Sequence, residues 1–395
     1  EMEMSDWSSD VCSSDLPNPA NAAICRQILP SMGCFMALLP ESLNMKEEVA
    51  GWRRHLHERP EILYDVQETA GFIAGKLNEF GCDEVVTGIG RTGVVGLIHG
   101  REGSNGPTVG LRADMDALPI NEMTGAQWAS HTPGKMHACG HDGHMAMLLG
   151  AARHLAQTRN FPGSVAVIFQ PAEEGGAGGL AMVKDGLMER FGIERVFGMH
   201  NLPGLPVGQF AIKPGPITAS TDEFWITVTG RGGHAAMPHL AVDPIVAGSA
   251  IVTALQTIAS RNGNPLDSVV CSVTKFNGGF AHNVIPETIK LAGTVRTLTP
   301  KTRDLAEERL KAIATGIAAS FGASAEVNYQ RHYPVSVNHP LETGIAGDSA
   351  ALTAGEESVD RAVDPMMGGE DFAYMLEARP GAFIFIGNGD SASLH

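Results

Sequence analysis

The chain reads as an α/β protein: a mixed, mostly parallel sheet with helices on both faces, into which a ferredoxin-like α+β satellite is inserted. Two observations predict this. Short apolar runs alternate with helical periods through the first half of the chain, as strands and crossover helices do in a parallel sheet. At Asp222 the pattern changes to strand, helix, strand, strand, helix, strand, which is the split βαββαβ unit.

The elements follow in order. Met45 to Glu79 carries helical segments with Trp52, Leu56, Ile62, Ile73 and Leu77 at the apolar positions. Val94–Ile98 and Thr108–Leu111 read as strands, Met145–Leu155 as a helix, and Val165–Phe169 and Val196–Phe197 as buried strands. In the insert, Phe224–Thr229 alternates as a strand, and Pro244–Ser260 is an apolar helix with proline in its first turn. Strands at Ser268–Lys275 and Ile289–Thr297, a helix at Thr302–Ser320 and a strand at Ala325–Tyr329 complete it. The α/β layer resumes near Tyr333, with Lys213–Pro216 and His332–Pro334 as hinges. The expected division is 1–44 as a leader, 45–218 with 331–395 as the larger domain, and 219–330 as the satellite. Glu1 to about Leu16 shows neither helical nor strand period and is expected not to be native sequence, which makes the 1–44 leader non-native in part.

Composition narrows the function classes. The 395 residues suit two domains, and 43% apolar content is ample for their cores. A net charge of −16 without a Lys/Arg-dense block argues against nucleic acid as a partner. The six cysteines, at 12, 25, 34, 82, 139 and 271, have no framework spacing, as a reducing compartment tolerates. There is no apolar run long enough for a membrane span. The leader-like stretch Ile24–Leu39 is interrupted by Arg26, Pro30 and Gly33 and follows acidic residues, so a cytoplasmic location is expected.

Chemistry concentrates in three segments: Cys139-Gly-His-Asp-Gly-His144, Gln170-Pro-Ala-Glu-Glu174 and Gly198-Met-His200. Each lies at the end of an apolar run, and residues beyond the carboxyl ends of parallel strands converge on one crevice. Cysteine, histidine and glutamate together make a metal-ligand set. Two adjacent carboxylates after a buried strand are costly unless cations offset their charge. A closed structural zinc site would need four ligands and no spare base; the extra glutamate here favours catalysis.

Together with Leu111-Arg-Ala-Asp-Met-Asp-Ala-Leu-Pro119, Met136–His144, Gly230-Arg-Gly-Gly-His-Ala-Ala236 and Asn283-Val-Ile-Pro286, these segments resemble the M20 metallopeptidase family. Within it the resemblance is to the amidohydrolase branch that includes hippurate hydrolase and indole-acetyl-amino-acid hydrolase. It runs from about Glu47 to His395. The resemblance implies that Cys139, His141, Glu174, His200 and His395 hold two divalent ions (Mn, Zn, Co or Ni) and that Glu173 is the general base. It further implies that His234 reaches into the site of a partner subunit, making a homodimer through the satellite, and that Asn283 helps hold the substrate. The expected reaction is hydrolysis of the amide bond of an N-acyl or N-aroyl amino acid by a metal-activated water. The chain stops at His395, where the family continues through a Pro-containing stretch and a closing helix, and this reads as a truncation.

Read from the residues alone, several positions keep two meanings. A carboxylate that bonds a ligand histidine fixes its tautomer, and Asp116 is assigned to His141 in that role, against helix capping or a simple turn before Pro119. His234 sits in a Gly-Gly-His turn that could be merely a hairpin, and Asn283 could merely favour its own turn. Asp142 and His144 are left outside the ligand set, Arg296 stays unassigned, and Gly368–Phe372 is a loop near the crevice. Two other classes compete: a hydrolase with Cys139 as nucleophile, which leaves Glu173 and Glu174 unexplained, and a non-catalytic metal-binding scaffold.

Overall fold

The computed structural model describes residues 40–101 and 106–389. Most of the expected leader 1–44, and His395, therefore lie outside the described residues. In chain order the elements begin with α1 (Pro40–His57), α2 (Gln67–Phe80), β1 (Glu84–Ile89), β2 (Gly93–His99), β3 (Thr108–Asp114), α3 (His141–Thr158) and β4 (Ser164–Gln170). They continue with α4 (Gly178–Lys184), α5 (Leu187–Arg190), β5 (Ile193–Leu202), β6 (Phe210–Ala211), β7 (Gly215–Thr218), β8 (Ser220–Thr229) and β9 (Gly233–His234). Next come α6 (Pro244–Leu255), β10 (Val269–Gly278), β11 (Val284–Ile285), β12 (Thr288–Thr297), α7 (Pro300–Ser320) and β13 (Ser324–Arg331). The last are β14 (Ser336–Asn338), α8 (Pro340–Ala354), β15 (Val359–Asp360), α9 (Ala373–Ala378) and β16 (Gly381–Gly387).

The eight-stranded sheet runs β1-β2-β4-β3-β5-β16-β6-β15. Its centre, β4-β3-β5-β16, is parallel, and β1 and β2 add antiparallel strands at one edge. Successive side chains of a strand point to opposite faces, and both faces are covered. On β4, Val167 and Phe169 pack with Trp52, Leu56, Ile73, Leu77, Met145 and Leu149 of α1, α2 and α3. The alternate residues Ala166 and Ile168 pack with Met182, Leu187, Met188 and Met375 of α4, α5 and α9. This explains why the strands read as continuous apolar runs rather than alternating ones.

The second sheet has four antiparallel strands in the order β10-β12-β8-β13. Phe224, Ile226 and Val228 of β8 are fully buried against Ala247, Ile251 and Leu255 of α6 and Ala306, Leu310 and Ala314 of α7. Asp243 caps α6 by accepting from the Ile245 N–H, and Thr299 caps α7 through Thr302, each followed by proline at the first helical position. The strand and helix order of the split βαββαβ unit is thus present in space.

Boundaries differ from the sequence reading where polar site residues sit inside elements. β5 extends to Leu202, so His200 lies within the strand rather than beyond it, held by pairing with Phe385 on β16. β3 extends to Asp114. α3 begins at His141, four residues before its apolar period, because Gly140 makes the N-cap in the left-handed region. β1, an edge strand with half its residues exposed, carries too little apolar pattern to be legible. Among the described residues no helix is long and apolar enough to cross a membrane.

The inward face of β8 yields a stability prediction. Phe224→Ala is expected to cost about 3–5 kcal/mol in urea unfolding. Trp225→Ala, one residue along and on the opposite face, is expected to cost less than about 1 kcal/mol. Equal losses would contradict the register.

Candidate metal centre

Four chain segments bring the site together. β3 ends on Asp114, β4 is followed by Glu173 and Glu174, β5 carries His200, and Cys139 and His141 flank the Gly140 cap of α3. Gly140 is required twice over. Its φ of 85° belongs to the left-handed region, and a Cβ there would meet the Asn201 amide nitrogen at 2.3 Å. That close approach lets Asn201 Nδ2 donate to the Cys139 carbonyl at 3.1 Å and locks the loop onto β5.

Ligand-type atoms of Cys139, His141 and His200 lie within 4.8 Å of one another, as do those of His141, Glu173 and Glu174. Cys139 Sγ is 3.4 Å from His200 Nε2. Both histidines have their tautomers fixed by main-chain carbonyls, which can only accept: His141 Nδ1 donates to Asp116 O at 2.7 Å and His200 Nδ1 to Asn201 O at 2.5 Å. Each ring therefore presents an unprotonated Nε2 to the centre, as a metal ligand must. His141 Nε2 and Glu174 Oε1 face each other at 3.8 Å, buried, and neither has a hydrogen-bond partner. Two buried lone pairs left unpaired are costly, and a divalent cation satisfies both. The donor set of thiol, imidazole and carboxylate fits such an ion.

The field around these atoms is strongly negative. Asp114, Asp116, Glu173, Glu370 and Asp371 are all buried, with Glu174 at the rim. One guanidinium answers them: Arg112 donates to Asp114 at 2.7 Å, to Glu370 at 2.9 Å, to Asp371 at 3.1 Å and to Gln170 Oε1 at 3.0 Å. Burial would push Asp114 up, but Arg112 and the His141 and His144 rings outweigh it and hold it well below the usual carboxylate range. At the other carboxylates burial prevails, even at Glu370 and Asp371 beside Arg112. With Glu370 and Asp371 nearby it pushes Glu173 well up, and with Asp114 nearby it pushes Glu174 to about 7. Burial pushes the Cys139 thiol far up, with Glu174 and Glu173 adding to it, and His141 and His200 down to about 4.

Asp116 acts differently from the expected carboxylate-to-ring bond. Its main-chain carbonyl orients His141, while its carboxylate, 3.8 Å from His141 Nδ1, accepts the N–H groups of Glu173 at 2.9 Å and Glu174 at 3.1 Å. The carboxylate is drawn to the glutamate turn because that turn offers two main-chain donors at once. His144 is a buttress: Nδ1 bonds Asp114 at 2.7 Å and Nε2 accepts from Asn201 N at 3.0 Å. His234 pairs with Val284 on the β9–β11 ribbon, and Asn283 lies at its end, where Ala235 N donates to Asn283 O at 3.0 Å. His234 and Asn283 are both exposed, and neither lines the cavity of about 1130 Å³ that opens beside Cys139 and His200. In the sequence Asp114 stands out only as the neighbour of Asp116 after the strand at 108, and no role falls to Arg112, Glu370, Asp371 or Tyr333, although Gly368–Phe372 is placed in a loop near the crevice.

Comparison with known proteins agrees with this geometry. The description peptidase family M20/M25/M40 matches residues 110–395. An N-acetyl-L-cysteine deacetylase of Bacillus subtilis is 43% identical over 353 residues, covering 89% of this chain and 83% of that protein. A hippurate hydrolase of Campylobacter jejuni is 42% identical over 360 residues, covering 91% and 93%. The crystal structure of the Bacillus subtilis protein YXEP, described as a dinuclear metal binding peptidase from the M20 family, superposes with a TM-score of 0.75 at 37% identity, covering 87% of this chain and 89% of that one. The chain belongs to peptidase family M20/M25/M40 and is a hydrolase that acts on amides.

Proposed function

We propose that the protein hydrolyses the amide bond of N-acyl or N-aroyl amino acids, giving a carboxylic acid and a free amino acid. The observation that carries this is the facing pair of unpartnered atoms, His141 Nε2 and Glu174 Oε1, with the carboxylate of Glu173 beside them. Cys139, His141, Glu174 and His200 would hold divalent ions, with His395 as a further ligand. Such ions supply Lewis acidity and a water of lowered pKa.

The remaining work falls to the chain. Glu173 takes a proton from the attacking water and returns it to the leaving nitrogen, a cycle that suits a carboxylate raised by burial. Asp116 and Arg112 hold the two sides of the centre so that this proton moves over a fixed distance. The tetrahedral oxyanion needs a donor. His234, exposed on its own chain, would supply it to the crevice of a partner subunit through a homodimer made by the 219–330 region, with Asn283 beside it on the substrate. A nucleophilic Cys139 is disfavoured, because a reactive thiolate needs positive surroundings and this thiol is flanked by Glu173 and Glu174.

Glu173→Gln is expected to retain its metal by elemental analysis, since Glu174 is untouched, and to lose about 10² to 10⁴-fold in turnover of an N-acyl amino acid panel. Near-normal turnover in a metal-replete variant would sink the assignment.

The cross-subunit role is tested by complementation. Glu173→Gln lacks its base but keeps His234, and His234→Ala has the reverse defect. Random co-refolding makes about half the dimers mixed, each with one complete site of two, so recovery should approach about one quarter of wild-type activity. No recovery in samples containing heterodimer would place His234 in its own chain's service.

A further inference from the structure

We infer that Tyr333 is a positioning residue that ties the crossover into the second sheet to the turn carrying Glu173, an inference that rests on the base role proposed above. The chain enters the second sheet near Thr218–Thr221 and leaves it at Arg331–Tyr333, and the two crossings are stitched together. Thr221 N donates to Tyr333 O at 3.0 Å, His332 N to Thr221 O at 2.9 Å, and Tyr333 N to Thr221 Oγ1 at 3.1 Å. From that joint the tyrosine ring, 6% exposed, reaches into the first sheet's site. Its hydroxyl donates to the Glu173 carbonyl at 2.6 Å and accepts the Ala177 N–H at 3.2 Å.

The turn it grips is one that needs holding. Ala172 and Ala177 both have φ of 54°, where a Cβ is strained, and Gly175 has φ of 88°. Asp116 fixes the turn from beneath through the Glu173 and Glu174 N–H groups, and Tyr64 donates to Gly176 O at 2.8 Å. Of these anchors, Tyr333 alone sits on the crossover. The joint is further wedged against the loop that carries Glu370 and Asp371. A Cβ on Gly369 would come within 2.0 Å of Thr221, and Tyr374 donates to His332 O at 3.1 Å. A rotation of the second sheet about its crossings therefore moves the Tyr333 hydroxyl, and with it the main chain of Glu173.

The test compares Tyr333→Phe and Thr221→Val with wild type on an N-acyl amino acid. Tyr333→Phe keeps the ring packing and removes only the hydroxyl; Thr221→Val removes the Oγ1 acceptor at the joint. Tyr333→Phe is expected to lower kcat by about 10- to 100-fold, with KM unchanged and metal content at wild-type level. Amide hydrogen exchange should accelerate across residues 172–178. Thr221→Val should shift kcat and exchange in the same direction by less. Unchanged kcat and exchange in Tyr333→Phe, or a kcat loss matched by loss of metal, would overturn the inference. Wild-type behaviour in Thr221→Val would overturn the link to the crossover, even if Tyr333→Phe fails to fold. Wild-type protein inactive on the panel would count against the proposed substrate class alone, and the exchange of residues 172–178 would still decide the tie.

Discussion

Burying a carboxylate costs several kcal/mol unless a counter-charge accompanies it, and this fold buries Asp114, Asp116, Glu173, Glu370 and Asp371 around one point. Arg112 answers part of that charge from the floor of the site, where it bonds Asp114, Glu370 and Asp371 at once. Burial pushes upward the carboxylates that Arg112 does not touch, Glu173, Glu174 and Asp116, and also Glu370 and Asp371, which it does; of the five buried around the point and Glu174, only Asp114 is held low. Burial lowers the His141 and His200 imidazoles to about 4, and their Nδ1 atoms bond main-chain carbonyls, which turns Nε2 inward. A site built in this way is under-neutralised by its own residues. Divalent cations complete it, and membership of a hydrolase family whose relatives include a described dinuclear metal binding protein agrees with that reading.

The architecture delivers these groups through a few shared contacts. Asp116 uses its carbonyl for His141 and its carboxylate for the turn of Glu173 and Glu174, so one residue sets the relation between a candidate ligand and the candidate base. Asn201, next to His200, bonds both His144 and the Cys139 carbonyl, which fastens the start of α3 to β5. Because these contacts interlock, moving any one residue displaces several donors together, as expected of a preorganised site.

The alternation of strands and helices was legible in the sequence because both covered faces of the first sheet leave continuous apolar runs such as Val165–Phe169. The second sheet was legible because β8 alternates Phe224, Ile226 and Val228 against exposed or half-buried neighbours. Cys139, His141, Glu173, Glu174 and His200 could be read as a group from their positions near apolar segments and from a family resemblance. What escaped depends on pairings that no local pattern encodes. Arg112 meets Glu370 across 258 residues, and Tyr333 meets Glu173 across 160. The role of Asp116 was half legible: sequence suggests which residue orients His141, but only the fold decides whether carbonyl or carboxylate does so. His200 inside β5 was obscured because Gly198, His200 and Asn201 are poor strand formers that pairing with β16 holds extended.

The central claim is that cations complete the charge of this centre, and metal content measured together with thermal stability and turnover tests it most directly. Elemental analysis should find about two divalent ions per chain. Chelation should lower Tm and abolish hydrolysis of N-acyl amino acids, and reloading with Zn, Mn, Co or Ni should restore both. Protein shown to be free of metal, yet with undiminished Tm and turnover, would contradict the account.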